Sequence, residues 1–190
     1  MLSDEQQQFI EAGRTGKYGR LLMLNGPAGT GKTFTINAFC EQIPNVLLAA
    51  PTARAASLIR GSTIHRLFGI PRGVCNPNFE DYPLHRQRRP YIETRFFGKK
   101  RREPLRVASW ILIDEYSMVR CDHIDWISRA LTEATGNPEI FGGKRVAFVG
   151  DPAQLPPVAT GEDLADLEEY GYEYPFDITQ AKVWEEMQAA

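Results

Sequence analysis

The chain has 190 residues, enough for one domain with a buried core, and a formal net charge of -2. With 43% hydrophobic and 24% charged residues it has no apolar run near the roughly 20 residues of a membrane-spanning helix, and its polar, acidic N-terminus differs from a signal peptide. The three cysteines form no close pair, which argues against a disulfide framework or a zinc motif and indicates an intracellular protein, cytoplasmic if its source is prokaryotic or viral.

The predicted elements alternate between helices and strands along most of the chain. Ser3 and Gln6 have the spacing of a capping box and predict a first helix over residues 3–12. Because the strands that follow are apolar on both faces, the alternation predicts an α/β fold with a parallel sheet covered by helices on both faces. Further helices are predicted over 32–42, 52–60 and 122–135, and strands over 20–25, 46–50, 110–113, 145–149 and, after an acidic segment, 172–178.

Residues 69–106 interrupt this alternation, and we interpret them as a small basic insertion on the α/β core. Between residues 86 and 106 the segment has nine Lys or Arg residues against two Glu, whereas the rest of the chain is acidic overall. A basic block of this kind can form a phosphate-binding surface, although a charge run considered alone is more often a solvated loop.

The segment GPAGTGKT follows the first predicted strand and opens a helix, which is the context that a phosphate-binding loop requires. Its glycines allow backbone N–H groups to converge on phosphate oxygens, and the helix N-terminus adds positive potential. Lys32 is predicted to reach the β- and γ-phosphates, and Thr33 to hold Mg²⁺. The predicted nucleotide-binding residues of the loop are Gly26, Pro27, Ala28, Gly29, Thr30, Gly31, Lys32 and Thr33.

Two later strands also end in polar residues. The strand WILI leads into Asp114, a candidate magnesium ligand, and Glu115, a candidate base that would activate water for hydrolysis. The last core strand leads into GDPAQLPPV, whose Asp151 and Gln154 would lie at the same sheet edge. An amide there could contact the γ-phosphate, whereas a proline-rich turn without function is the alternative for this segment taken alone.

The segment APTARAASLIRGSTIH contains two candidate anion sites in series, the first where a predicted strand leads into a helix start. Pro51 and Thr52 lie at the first, and Thr63 and His65 repeat the arrangement at the second. Two anion sites in series suit the backbone of a nucleic-acid strand. A histidine standing alone would more simply be a buried residue with satisfied hydrogen bonds.

The stretches LSDEQQQFI, GPAGTGKT, APTARAA, STIH, LIDEYSMV and GDPAQLPPV, in this order, resemble the first motor domain of superfamily-one DNA helicases of the RecD-like and Pif-type group. The resemblance implies a RecA-like ATP-binding domain formed by residues 1–68 and 107–190, with ATP, Mg²⁺ and single-stranded DNA as ligands and 5′-to-3′ movement. It implies that Gln6 contacts adenine, although this residue could simply cap a helix. The family residues that bind ATP and magnesium correspond to Lys32, Thr33, Asp114, Glu115 and Gln154. The family positions that touch DNA correspond to Thr52, Thr63 and His65.

The same resemblance implies that residues 69–106 form the small inserted subdomain that helps to split the duplex. Its Tyr91, Phe96 and Phe97 could stack on bases or form a miniature core. The sequence departs from the family pattern at Ala53, where glycine is usual, and at Tyr116, where a smaller or aliphatic residue is usual. Nothing after Val158 resembles the second RecA-like domain with its arginine finger. The chain is then either a fragment of a longer helicase or a stand-alone descendant of one, and we expect the fragment.

Two other classes of function are compatible with parts of the sequence. A nucleotide kinase has a similar length and the same phosphate loop, but Glu115 beside Asp114 and the sensor-like Gln154 favour hydrolysis. The basic block alone would also permit a non-catalytic nucleic-acid-binding module, which the complete set of hydrolysis residues disfavours.

Overall fold

A computed structural model of the chain describes residues 2–71, 73–76, 99–174 and 176–184, with only the backbone described for 99–102. Five strands form one parallel sheet in the order β1-β5-β4-β2-β3. This arrangement places the carboxyl ends of all the strands at one edge. The strands are β1 Leu21–Asn25, β2 Val46–Ala50, β3 Ser62–Thr63, β4 Trp110–Asp114 and β5 Arg145–Gly150.

Helices connect the strands and flank the sheet. None of the helices in the described part of the chain combines the length and the apolar character that crossing a bilayer requires. The helices are α1 Asp4–Thr15, α2 Lys32–Gln42, α3 Ala53–Leu58, α4 Ile64–Phe68, α5 Lys99–Val107, α6 Cys121–Thr135 and α7 Gly161–Glu169, with 3₁₀ turns at Tyr116–Met118, Ile140–Gly143 and Ile178–Gln180.

The sheet has a hydrophobic core on each face, because successive residues of a strand point to opposite sides. In β4, Trp110 and Leu112 pack into the core that contains the apolar side chains of α1 and α2. Ile111 and Ile113 pack into the core that contains the apolar face of α6. All four side chains are fully buried, which confirms the prediction of a parallel sheet covered on both faces.

The predicted boundaries of α2 and β2 agree with the structure, and the other predicted core elements differ from the observed ones by a few residues. The short elements β3 and α4 were not predicted. Helix α5 forms at the end of the segment that we interpreted as an insertion. Residues 77–98, which include Tyr91, Phe96 and Phe97, lie outside the described residues.

The strand predicted over 172–178 is wrong, because the described residues of this segment form no strand and Ile178 begins a 3₁₀ turn. The segment instead packs against α6 through Asp125. The Asp125 carboxylate accepts hydrogen bonds from the Tyr172 hydroxyl at 2.6 Å and from the backbone N–H groups of Lys182 and Val183 at 3.0 and 2.9 Å. Burial raises the pKa of Asp125, and these hydrogen bonds oppose that rise.

Replacing Tyr172 with Phe tests how much this contact stabilises the fold. Tyr172→Phe removes only the hydroxyl, and we expect it to lower the free energy of unfolding by about 1–2 kcal/mol in urea denaturation. Tyr174→Phe is the matched control, since Tyr174 is 57% exposed and a surface change of this kind is expected to stay within about 0.5 kcal/mol. Equal values for the two variants would contradict a stabilising role for the hydroxyl.

Candidate functional site

The phosphate loop, Gly26–Thr33, connects β1 to α2 at the carboxyl edge of the sheet. Gly29 and Gly31 have left-handed φ angles of 83° and 84°, which glycine adopts without strain. A Cβ on Gly26 would lie 2.8 Å from the Thr30 hydroxyl oxygen, so a larger residue at this position would require the Thr30 side chain to move. Helix α2 has Gly31 as its N-cap and no side-chain cap among the described residues, which leaves its first N–H groups available to an anion.

Lys32 lies across the start of the loop. Its ammonium group donates hydrogen bonds to the carbonyl oxygens of Gly26 at 2.6 Å and Pro27 at 2.9 Å. Thr33 follows in the first turn of α2 with an exposed side chain. The Thr33 hydroxyl is therefore accessible to a ligand, whereas Lys32 is half-buried and bonded to carbonyl groups of the loop.

Gln6 connects α1 to the phosphate loop. Its Oε1 accepts the Ser3 backbone N–H at 2.9 Å, while its own N–H donates to the Ser3 hydroxyl at 3.3 Å, so the predicted capping box is present. Its Nε2 donates to the Thr30 carbonyl at 2.9 Å. Gln6 thus caps its own helix and holds the loop, and a contact with adenine stays a prediction.

Asp114 ends β4 and is 6% exposed. Its Oδ1 is buried and has no hydrogen-bond partner among the described residues. Burial raises the pKa of Asp114 from 3.8 to about 6, and the positive charge of Lys32 opposes this shift. The site therefore holds a buried carboxylate oxygen that a cation or its bound water can satisfy.

Glu115 follows in a left-handed conformation, with φ 54° and ψ 43°, which is rare for a residue other than glycine. This conformation turns the chain away from β4 at the sheet edge. The half-buried Glu115 lines a cleft of about 630 Å³ together with Thr52 and Gln154. Conformations of this kind cluster at functional sites, although Asn45, Arg60 and Phe141 also have left-handed φ angles.

Gln154 reaches this cleft from the turn after β5. Its backbone N–H donates to the Asp151 carbonyl at 3.0 Å, and Oδ1 of Asp151 accepts the Ala153 N–H at 3.0 Å. Asp151 therefore shapes the turn that presents Gln154. The side chains of Thr52, Glu115 and Gln154, which come from three separate segments of the sequence, therefore line the same cleft.

The other predicted nucleic-acid residues lie at the starts of two short helices. Thr52 and Thr63 are N-caps, whose hydroxyl oxygens accept the N–H groups of Ala55 at 3.1 Å and Arg66 at 3.2 Å. Pro51 is half-buried before α3. His65 is exposed on α4, and its ring lies 5.2 Å from that of His123, so the alternative of a buried histidine is wrong here.

A buried ion pair beneath this surface was not predicted. Arg120 and Asp122 are 5% and 0% exposed, and the guanidinium donates to both carboxylate oxygens, from Nε at 2.9 Å and from Nη2 at 2.8 Å. Asp122 also accepts the Cys75 N–H at 2.8 Å, and Arg120 donates to the Gly73 carbonyl at 2.7 Å. The pair thereby connects residues 73–76 to the start of α6. No periodic pattern in the local sequence predicts this long-range contact.

The strand order, the glycine-rich loop after β1, the acidic end of β4 and the glutamine after β5 together define a RecA-like phosphate-loop NTPase core. A family model described as PIF1-like helicase matches residues 1–189. The chain therefore belongs to the PIF1-like helicase family, as the resemblance of its motifs implied.

Known relatives agree with this assignment. An ATP-dependent DNA helicase Pif1 from Bdellovibrio bacteriovorus is 33% identical over 167 residues, which cover 85% of this chain and 34% of that protein. The corresponding Psychrobacter helicase is 31% identical over 156 residues, covering 79% of this chain and 22% of that protein. The crystal structure of Bacteroides Pif1 in complex with ADP-AlF3 and ssDNA matches with a TM-score of 0.81 and 33% identity, covering 96% of this chain and 39% of that one. The chain thus spans well under half the length of these relatives.

Proposed function

We propose that the chain is the first motor domain of an ATP-dependent DNA helicase, which binds and hydrolyses ATP with Mg²⁺ and couples hydrolysis to movement on single-stranded DNA. The observation that carries this proposal is the cleft shared by Thr52, Glu115 and Gln154. A residue proposed to touch DNA, the proposed base and the proposed γ-phosphate sensor line this one cleft, which supports a coupling between DNA binding and hydrolysis.

The phosphate loop is proposed to bind the nucleotide. Its backbone N–H groups and the ammonium group of Lys32 would receive the β- and γ-phosphates, with Lys32 exchanging its present carbonyl partners for phosphate oxygens. The Gln6 amide donates one of its two hydrogens to Thr30, and its Oε1 accepts from Ser3 with one of two lone pairs. The second hydrogen and the second lone pair would contact adenine.

Thr33 and Asp114 are proposed to hold Mg²⁺, which would neutralise charge on the phosphates when bound. Their hydroxyl and carboxylate oxygens are the hard ligands that this ion prefers. The buried Oδ1 of Asp114, without a partner among the described residues, supports this assignment. Glu115 would then take a proton from the attacking water. The γ-phosphoryl group would pass to that water rather than to a second substrate, as its bond to the β-phosphate oxygen breaks and ADP leaves.

The contacts with DNA are proposed to come from Pro51, Thr52, Thr63 and His65. We propose that residues 1–68 and 107–190 form one motor domain with 69–106 inserted in it, and that a second RecA-like domain of a longer chain completes the arginine-dependent hydrolysis and the grip on DNA. Without an arginine finger, hydrolysis can be slower by about 10³-fold or more, so slow turnover and no unwinding are expected of this chain alone.

The pKa of Asp114 predicts a pH dependence of magnesium binding. Below about pH 6 the carboxyl takes up a proton, and the affinity for Mg²⁺ in the presence of nucleotide is expected to fall up to about tenfold per pH unit. Because folding raises the pKa of Asp114, the contribution of this carboxyl group to the stability of the fold is fully present below pH 3.8. It is lost as the pH rises towards about 6.

The measurement is a titration of a fluorescent ATP analogue with Mg²⁺ between about pH 5 and 8, with excess EDTA as the metal-free reference. The terminal phosphate of the nucleotide also titrates in this range, with a pKa of about 6 or slightly higher, so Asp114→Asn should bind Mg²⁺ more weakly and with a shallower pH dependence than the wild type. Equal pH dependence in the two proteins would contradict the assignment of Asp114 as a ligand.

The experiment that tests the proposed function is ATP hydrolysis with and without a single-stranded DNA oligonucleotide. We expect slow phosphate release that DNA stimulates and that Lys32→Ala abolishes, with Lys17→Ala, in the exposed loop after α1, as the matched control. Slow release unaffected by DNA would show that coupling needs the second domain. Transfer of phosphate to a nucleoside monophosphate, or DNA binding without any ATP binding, would overturn the proposal.

A further inference from the structure

The side chain of Tyr116 bridges the carboxyl edge of the sheet. Its hydroxyl donates a hydrogen bond to Oδ1 of Asn25 at 2.8 Å. Asn25 is the last residue of β1 and directly precedes Gly26, while Tyr116 directly follows Glu115. Because β5 lies between β1 and β4 in the sheet, this one contact joins two segments that are not neighbouring strands.

The ring of Tyr116 passes over the end of the intervening strand. A Cβ on Gly150 would lie 2.9 Å from Cδ1 of Tyr116, so the absence of a side chain at Gly150 makes room for the ring. On β5, Phe148 meets the ring edge to face, with centroids 6.1 Å apart and an interplanar angle of 71°. Tyr116 is only 6% exposed, and these contacts restrict it to one orientation.

This bridge acts on the backbone at Glu115. The left-handed conformation of Glu115 is less favourable than the usual helical region for a residue with a Cβ, so the surroundings must hold it. Downstream, the Met118 N–H donates to the Glu115 carbonyl at 3.1 Å and the Val119 N–H to the Tyr116 carbonyl at 2.9 Å. The Tyr116 hydroxyl adds a link that runs to the phosphate loop itself.

We propose that Tyr116 is a positioning residue, which fixes the Glu115 carboxylate relative to the phosphate loop through its hydrogen bond to Asn25. The inference rests on the proposed ATP hydrolysis. A role limited to packing would require the ring alone, whereas positioning requires the hydroxyl. Tyr116→Phe separates the two roles, because it keeps the ring over Gly150 and removes the bond.

The test is a double-mutant cycle of Tyr116→Phe and Asn25→Ala, measured as the single-turnover rate of ATP hydrolysis. We expect each single variant to lower the rate by about three- to tenfold, which is the range for one hydrogen bond. The double variant should be no slower than the slower single variant, because both changes break the same contact. The affinity of Tyr116→Phe for nucleotide should stay within about twofold of wild type, since the loss concerns the reaction step.

The following comparisons separate the outcomes. Tyr18→Phe, at a tyrosine that is 62% exposed, should leave the rate unchanged. If the wild-type chain hydrolyses ATP faster than Lys32→Ala while Tyr116→Phe keeps the wild-type rate, the inference is overturned and the proposed function stands. Additive losses in the cycle, or a loss explained by weaker nucleotide binding, would overturn it as well. A wild-type rate no higher than that of Lys32→Ala would overturn the proposed function and this inference together.

Discussion

Glu115→Gln is expected to lower the rate of ATP hydrolysis by about 10²–10⁴-fold while nucleotide affinity stays within about twofold. The amide has nearly the same shape as the carboxylate but cannot take a proton from water. Because Glu115 is half-buried in the cleft and is not part of the phosphate loop, the change should leave the loop and its contacts intact. Single-turnover hydrolysis gives the rate, and titration of a fluorescent nucleotide gives the affinity.

Glu168→Gln is the matched control for this prediction, since Glu168 is an exposed glutamate on α7. It makes the same chemical change away from the cleft and should leave both quantities unaltered. A loss below about tenfold for Glu115→Gln would indicate that another group activates the water. Asp151, at the neighbouring strand end, would be the next residue to change.

Asp122→Ala is expected to lower the free energy of unfolding by about 3–5 kcal/mol, because it removes both hydrogen bonds that pair the buried Arg120 guanidinium and leaves only the Asp163 carboxylate, 4.0 Å away. Arg120 is 5% exposed and already donates to the Gly73 carbonyl, so it has little freedom to reach water. The Cys75 N–H loses its acceptor in the same variant. Chemical denaturation of the purified variant gives the value.

The control lies on the same helix. Arg129 and Glu133 of α6 form an ion pair with side chains 39% and 41% exposed, and Glu133→Ala should cost less than about 0.5 kcal/mol. The two variants remove the same kind of charge pair and differ in burial. If both lowered the stability equally, burial would not be what makes the Arg120–Asp122 pair important.

The stability of the wild type should also depend on pH through Asp122. Burial alone would raise the pKa of this carboxyl, but the hydrogen bonds and charge of Arg120 outweigh burial and hold the pKa below its ordinary value of 3.8. A lowered pKa means that the contribution to stability is fully present above the unfolded-state pKa and is lost as the pH falls below about 4. Asp122→Ala should lack this acid-dependent loss.

The sequence predicted most of the core elements because local patterns determine them. Apolar runs of strand length between glycine loops and amphipathic helices place β1, β2, β4 and β5, and the phosphate loop requires its glycines wherever it occurs. The predicted strand over 172–178 failed for the same reason. Its aromatic and apolar residues have strand propensity, but the Tyr172 hydroxyl and the backbone at Lys182 bind the buried Asp125, which no local pattern reveals.

The amino-acid sequence by itself therefore determined the fold class, the residues of the phosphate loop and the polar residues near the carboxyl ends of the strands. Only the tertiary structure decided which of these residues share a cavity, that Arg120 and Asp122 pair in the core, and that Tyr116 reaches Asn25 past Gly150. The spacing of apolar residues along the chain indicates whether a residue lies in a strand, a helix or a loop, because the periodicity of each element is a local property of the backbone. Contacts between residues 47 or 91 positions apart depend on the order in which the strands join the sheet and on the space that their neighbours leave.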